Sequence, residues 1–128
     1  FINKALALKP DFAEAHSHLG LALKELGRLD DALDHYHQAI KLRPDFAEAY
    51  YNLGNALREL GRLDEAVQIY YKVLYIRPEF AEVLTDLGAL FQQTGLLDEA
   101  VTHYEKALAA KPKHWFFTPA FYKSRLKH

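Results

Sequence analysis

Seven histidines are the side chains of this 128-residue chain best suited to bind a metal or transfer a proton. His16/His18 and His35/His37 are each separated by a single residue. In a helix this spacing puts the two rings on roughly opposite faces, and the i, i+4 spacing of a helical zinc site does not occur. The chain also has no cysteine, which excludes thiolate ligands and disulfides. We therefore expect neither a metal site nor a cofactor.

Catalytic signatures are equally absent from the sequence. It contains no glycine-rich phosphate loop, no nucleophile elbow and no other known catalytic motif. The carboxylates are numerous, but they recur at fixed positions that mark them as helix caps and helix surface. We therefore expect a protein that is not an enzyme and has no catalytic residue.

The charge is distributed unevenly although the formal total is only -1. Residues 1–110 carry 11 basic and 17 acidic side chains, whereas residues 111–128 carry five basic and no acidic ones. The acidic body lacks the basic stripe that nucleic acids require, and no apolar run approaches the roughly 20 residues that span a bilayer. The first residues lack an initiator Met and a signal-peptide pattern. We expect a cytoplasmic piece of a longer protein that binds neither nucleic acid nor membrane.

A 34-residue repeat must position any functional side chain in this chain. Four prolines mark its period, namely Pro10, Pro44, Pro78 and Pro112. The period predicts three units, 13–46, 47–80 and 81–114, and residues 1–12 as the second helix of a preceding unit. The first two units are identical at 18 of 34 positions.

Each unit has the pattern of two helices. In the first unit Gly27 supplies the left-handed residue that ends one helix, Asp30 is the expected N-cap of the next, and Pro44 ends that one. Helices this short are marginal alone in water, so the hairpins must gain stability by stacking on one another. Gly20 lies within the first helix, where we expect it to allow close approach of the second helix at Ala32.

These features resemble the tetratricopeptide repeat, whose 34-residue pattern has an aromatic, Leu-Gly, a large residue, Ala, an aromatic and Pro at set positions. The second unit matches it with Tyr50, Leu53-Gly54, Leu57, Ala66, Tyr70 and Pro78. His16 and Leu84 depart from the first aromatic in the other units. The resemblance implies an all-α fold, a right-handed α-solenoid of stacked antiparallel helix pairs. It extends to the tetratricopeptide superhelix of O-linked N-acetylglucosamine transferase and to bacterial proteins of this family.

The resemblance also implies where a partner binds. In this family the groove side chains occupy the second, fifth, sixth, ninth, twelfth and thirteenth positions of a unit. In the first unit these are Glu14, Ser17, His18, Leu21, Lys24 and Glu25. In the second they are Glu48, Tyr51, Asn52, Asn55, Arg58 and Glu59, and in the third Glu82, Thr85, Asp86, Ala89, Gln92 and Gln93. These positions vary between units, as a surface adapted to one ligand would, and as an unconstrained surface would too.

Two binding modes of the family can be compared with these residues. The carboxylate clamp of chaperone-binding members needs cations where this chain has Glu82 and Asp86, so the clamp is absent. The asparagine ladder of the transferase superhelix uses the sixth positions, which are His18, Asn52 and Asp86. One of these three is an asparagine, and Asn55 adds a second amide one turn along, which fits capture of an extended peptide by its backbone and fits a solvated helix face equally well. The acidic column of Glu14, Glu48 and Glu82 would favour a basic ligand, but helix dipoles also explain acids at these positions.

The expected function is therefore an interaction scaffold for an unidentified protein or peptide. Alternatives are the substrate-recruiting arm of a larger modifying enzyme, such as a glycosyltransferase, and a self-associating structural array. Self-association could use Tyr71 and Tyr75, which lie four residues apart on one helix, or the tail. Residues 115–128 break the repeat, and their aromatic residues predict either a capping helix or a linker to a further domain.

Overall fold

The computed structural model describes the backbone of residues 2–110 and the side chains of residues 12–110. Over residues 2–110 it contains six helices and no strand, which confirms the all-α fold class of a tetratricopeptide array. Three-residue connections join the helices of each pair, so that they lie antiparallel and pack together. In chain order the helices are α1 (Ile2–Glu25), α2 (Leu29–Leu42), α3 (Ala47–Glu59), α4 (Leu63–Ile76), α5 (Ala81–Gln93) and α6 (Leu97–Ala110).

The described part of the chain divides into two compact units, one that ends at Pro78 and one that begins at Glu79. In the first unit α2 also packs against α3, and α1 contacts α3. Small residues and one ring make this contact close, since Ala39 of α2 is buried in one cluster with Phe46, the last residue of the first repeat, and Ala49 of the next repeat. In the second unit α5 packs on α6. The expected cap or linker over residues 115–128 lies outside the described residues.

The turn within each hairpin contains a glycine in the left-handed conformation, as the sequence predicted. Gly27, Gly61 and Gly95 have φ values of +84°, +81° and +85°, the left-handed region that favours glycine. At the first turn the N–H of Arg28 donates to the Leu23 carbonyl at 2.8 Å, which is the bond of a Schellman motif. The glycines therefore end the first helix of each pair, as predicted.

The predicted N-cap role of Asp30 is wrong. Helix α2 begins at Leu29 with Arg28 at the cap position, because the Ala32 N–H already donates to the Arg28 carbonyl at 3.0 Å. Asp30 therefore lies in the first helical turn, where its charge still complements the helix dipole. The Arg28 guanidinium reaches Asp31 of the same turn at 2.7 Å.

The repeat prolines do not all end a helix. Arg43 and Arg77, the residues before Pro44 and Pro78, are extended (φ -138° and -133°), and α2 and α4 stop just before them. In contrast, α1 runs through Pro10 as one helix, where the repeat predicted a boundary between 1–12 and 13–46. A proline inside a helix removes one backbone hydrogen bond and kinks or breaks the helix, so the spacing of Pro10 alone did not decide whether the helix ends there.

The mid-helix glycines make room for a ring rather than for a small residue. A Cβ on Gly20 would lie 2.5 Å from the Tyr36 ring, and one on Gly54 would lie 2.6 Å from the Tyr70 ring. Both tyrosines are fully buried. The close approach expected at Ala32 is therefore made by the second-helix tyrosine, four residues further on.

Candidate partner-binding face

The groove residues predicted for the first two repeats lie on α1 and α3, which contact each other in the first unit. We call them together the α1/α3 face. Its α1 residues are Glu14, Ser17, His18, Leu21, Lys24 and Glu25, and its α3 residues are Glu48, Tyr51, Asn52, Asn55, Arg58 and Glu59.

A hydrogen bond joins the two helices within this face. The Asn52 amide nitrogen donates to the Ser17 hydroxyl at 3.2 Å. Ser17 is only 5% exposed, so a groove position that a ligand would have to reach is buried here. The reason is that Ser17 lies against α3 of the next repeat, where its hydroxyl accepts the bond that orients Asn52.

The second asparagine is held by its own hairpin. The Tyr70 hydroxyl of α4 donates to the Asn55 carbonyl oxygen at 2.5 Å. The Tyr51 ring lies beside Tyr70, with ring centroids 6.1 Å apart and planes inclined at 40°. Tyr51 is half-buried and fixed by this contact, so it could offer an aromatic surface to a ligand at little entropic cost.

Ion pairs neutralise part of the charge of the face. Lys24 of α1 reaches Glu59 of α3 at 3.0 Å. Glu14 lies 3.7 Å from Arg43, whose guanidinium stacks 4.1 Å over the Phe46 ring. Half-exposed pairs of this kind contribute about 0–1 kcal/mol. They still argue against a basic ligand held by Glu14, Glu48 and Glu82, because Glu14 is already paired with Arg43.

The groove residues predicted for the third repeat all lie on α5, in the second unit. They are Glu82, Thr85, Asp86, Ala89 and Gln92. The Tyr104 hydroxyl donates to the Gln92 side-chain oxygen at 2.9 Å. The Thr85 hydroxyl donates to the Ala81 carbonyl one turn back at 3.1 Å. Gln92 is therefore oriented by its own hairpin, as Asn55 is.

A buried hydroxyl beside the face went unnoticed in the sequence. Tyr36 holds the repeat position of Tyr70 and is fully buried, but its hydroxyl has no hydrogen-bond partner within residues 12–110. The reason is that Leu21 stands where the next repeat has Asn55. Burial raises the pKa of Tyr36 from 10.0 to about 12, with smaller contributions from Glu59 and Glu25. A comparison of ninth positions between repeats could have revealed it.

A histidine pair was also missed. His16 of α1 and His35 of α2 bring their Nδ1 atoms within 3.0 Å of each other. Spacing within one helix could not reveal this, because the partners lie on neighbouring helices. In the part of the chain with described side chains, no three or more His, Asp or Glu side chains form a cluster that could hold a metal ion. No described helix has both the length and the apolar character needed to cross a membrane.

Comparison with known families agrees with this architecture. A tetratricopeptide repeat model matches residues 2–36 and 18–79, and a second tetratricopeptide repeat model matches residues 57–115. The chain therefore belongs to the tetratricopeptide repeat family. Together with the helical repeat, this supports a protein–protein interaction scaffold.

Among solved structures, the chain is similar to MamA. Two MamA crystal structures are each 34% identical to it, with TM-scores of 0.77 and 0.74. A third, described as MamA MSR-1 C2, is 27% identical with a TM-score of 0.71. The matches cover 88%, 87% and 88% of this chain but only 66%, 61% and 64% of those chains. No curated protein matches the sequence.

Proposed function

We propose that the α1/α3 face binds an extended peptide through its backbone. The observation that carries this proposal is the fixed orientation of two amides one helical turn apart. Asn52 uses an amide hydrogen on Ser17, and Asn55 uses its carbonyl oxygen on Tyr70. No other residue in the described part of the chain bonds to either amide.

The two asparagines therefore offer complementary groups. Asn52 keeps a carbonyl oxygen that can accept a peptide N–H, and Asn55 keeps an NH₂ group that can donate to a peptide C=O. An extended strand presents backbone N–H and C=O groups alternately along its length. These groups are the same whatever the side chains of the peptide are. Recognition of this kind tolerates many sequences, and Tyr51 would add an aromatic contact with a ligand side chain.

This mode needs no carboxylate clamp, cofactor or catalytic group. Each hydrogen bond is worth about 0.5–1.5 kcal/mol net, so useful affinity requires several contacts along the ligand. The other residues of the face, such as Leu21 and Arg58, would then set which peptides bind best.

Binding to an array of random peptides, followed by fluorescence anisotropy on the strongest binders, tests the proposal. Asn52→Ala removes the acceptor and is expected to weaken binding about fivefold, equivalent to one hydrogen bond of about 1 kcal/mol. The single variant Tyr51→Ala is expected to weaken binding by more than Asn52→Ala does. The matched control is Gln68→Ala, an exposed side chain on α4 outside the face. If both α3 variants bind every peptide as the control does, the face is not the binding site.

We propose further that residues 115–128 cover α6. Leu97, Val101 and Leu108 of α6 are 59%, 54% and 63% exposed and share one side of the helix. Leu33, the counterpart of Val101, is 8% exposed on α2, where the following repeat packs. The sequence continues for 18 residues after Ala110, with aromatic residues at 115, 116, 117, 121 and 122, which would give these α6 side chains an apolar partner.

Light scattering of the full chain and of a chain ending at residue 114 tests the cap. Capping predicts a monomeric full chain and association once α6 is uncovered. A full chain that is dimeric and becomes monomeric on truncation would instead assign the tail to self-association. Monomers in both cases would contradict the cap, because an uncovered α6 would then cause no association, and would also exclude a tail-mediated dimer. Self-association through Tyr71 and Tyr75, which are 42% and 83% exposed, would survive truncation.

A further inference from the structure

His16 and His35 form a contact between α1 and α2 that lies outside the α1/α3 face. Their ring centroids are 5.3 Å apart and their planes are inclined at 23°, whereas their Nδ1 atoms are only 3.0 Å apart. The two Nδ1 atoms therefore lie close to the line between the ring centroids and face each other. Both side chains are half-buried, which restricts their motion while leaving an edge open to solvent.

We propose that this pair is a two-histidine site for a divalent late transition-metal ion, with Ni²⁺ and Cu²⁺ the best fits. Metal–imidazole bonds of about 2.0–2.1 Å separate two nitrogens by about 2.9 Å at a right angle and by about 3.3 Å at the tetrahedral angle. The observed 3.0 Å is close to the right-angle value. Right-angled coordination by nitrogen and oxygen is typical of these two ions rather than of zinc.

Binding would require a change of tautomer but no new residue. In the His16–His35 hydrogen bond one Nδ1 carries the proton and the other accepts it. Coordination places both imidazole protons on Nε2, and each ring must turn by about 45° so that its Nδ1 lone pair points at the ion rather than at the other nitrogen. Asp31, one turn before His35, is not the third ligand because Arg28 holds its carboxylate at 2.7 Å. Water completes the coordination shell, so the affinity is modest.

The repeat itself provides matched variants. The second repeat has Tyr50 and Ile69 at the positions of His16 and His35, within the same hairpin architecture. His16→Tyr and His35→Ile therefore introduce residues that these repeat positions already accommodate. His18→Gln is the control, since His18 is exposed on the same helix and is not part of the pair.

The test is calorimetric titration of the untagged full chain with Ni²⁺, supported by its melting temperature with and without the ion. The wild type is expected to bind Ni²⁺ at this site and to melt at a higher temperature with it, because the ion binds the folded hairpin. Each pair variant should weaken binding at least about tenfold and lose the shift, whereas His18→Gln should keep both. Acidification should also abolish binding, because protons compete for the ligand nitrogens.

To tell a misfolded variant from one that has lost only the metal site, we compare its melting temperature with that of the wild type in the presence of a chelator. A pair variant that melts as the wild type does in chelator, but no longer responds to Ni²⁺, supports the site. Equal Ni²⁺ binding by wild type and His16→Tyr would overturn it, and so would loss of binding in His18→Gln alone. If His16→Tyr fails to fold, His35→Ile gives the same comparison from the other helix.

Discussion

Replacing Tyr36 with phenylalanine is expected to stabilise the protein, whereas the same change at Tyr70 is expected to destabilise it. The two tyrosines hold the same position in successive repeats and are both fully buried. They differ in the hydroxyl, since that of Tyr70 donates to Asn55 at 2.5 Å and that of Tyr36 has no partner within residues 12–110.

The magnitudes follow from these environments. A buried hydroxyl without a hydrogen bond costs about 1–3 kcal/mol, so Tyr36→Phe should raise the free energy of unfolding by about 1 kcal/mol after the small void is counted. Removing a satisfied hydroxyl costs about 0.5–1.5 kcal/mol. Tyr70→Phe should fall in that range, because half-buried Asn55 can turn to water for its lost bond. The two variants should therefore differ by about 2 kcal/mol.

Thermal and urea denaturation of the full chain, followed by circular dichroism, measures this difference. A change of about 1 kcal/mol corresponds to a shift of about 3–5 °C in the melting temperature of a domain of this size. Tyr104→Phe is a useful reference, because that hydroxyl is bonded to Gln92 at an exposed site. The urea dependence of each variant should have the wild-type slope, so that midpoints can be compared directly.

Equal destabilisation by Tyr36→Phe and Tyr70→Phe would refute the reasoning, because it would mean that Tyr36 has a hydrogen bond in solution. A second variant sharpens the test. Leu21→Asn gives Tyr36 the acceptor that Asn55 gives Tyr70. Its effect should be more favourable when Tyr36 is present than when it is phenylalanine, by about the 1 kcal/mol of one hydrogen bond.

Three further outcomes are expected in denaturation experiments. Gly54→Ala should lower the melting temperature, because its Cβ would lie 2.6 Å from the Tyr70 ring and overpacking of about 1–3 kcal/mol exceeds the roughly 1 kcal/mol gained in helix propensity. Gly61→Ala should cost about 1 kcal/mol through its φ of +81° alone, since nothing lies within 4 Å of the added carbon. The raised pKa of Tyr36, about 12 against an ordinary 10.0, means that the unfolded chain loses this proton first. The ionisation of Tyr36 should leave the free energy of unfolding unchanged below pH 10 and lower it as the pH rises towards 12. Tyr36→Phe should remove this part of the loss of stability at alkaline pH.

Local interactions made much of the fold predictable from the sequence. The left-handed turn at Gly27 and the helix end before Pro44 depend on the conformations that one or two residues allow, so composition and spacing are sufficient. Predictions from residue type and spacing were wrong at two helix ends. Asp30 is a good cap by type, but the helix had already begun at Leu29. Pro10 has the spacing of a helix end, yet α1 continues through it.

The candidate site was selected from the sequence and stays a prediction. The resemblance to a family with a known groove selected Asn52 and Tyr51, and the structure gives each a fixing contact. It could not show that Ser17 is buried under the next repeat, since burial depends on how closely two helices of different hairpins approach.

The sequence by itself determined the repeat, the helix pairs and the turns between them, because each depends on residues a few positions apart. Tertiary structure alone decided that the buried Tyr36 hydroxyl has no partner among the side chains of residues 12–110 and that His16 meets His35. Partners separated by 19 residues come within 3.0 Å only through the packing of one helix on another. Distances of that size are fixed by side-chain volumes across an interface, which no spacing along a single helix reports.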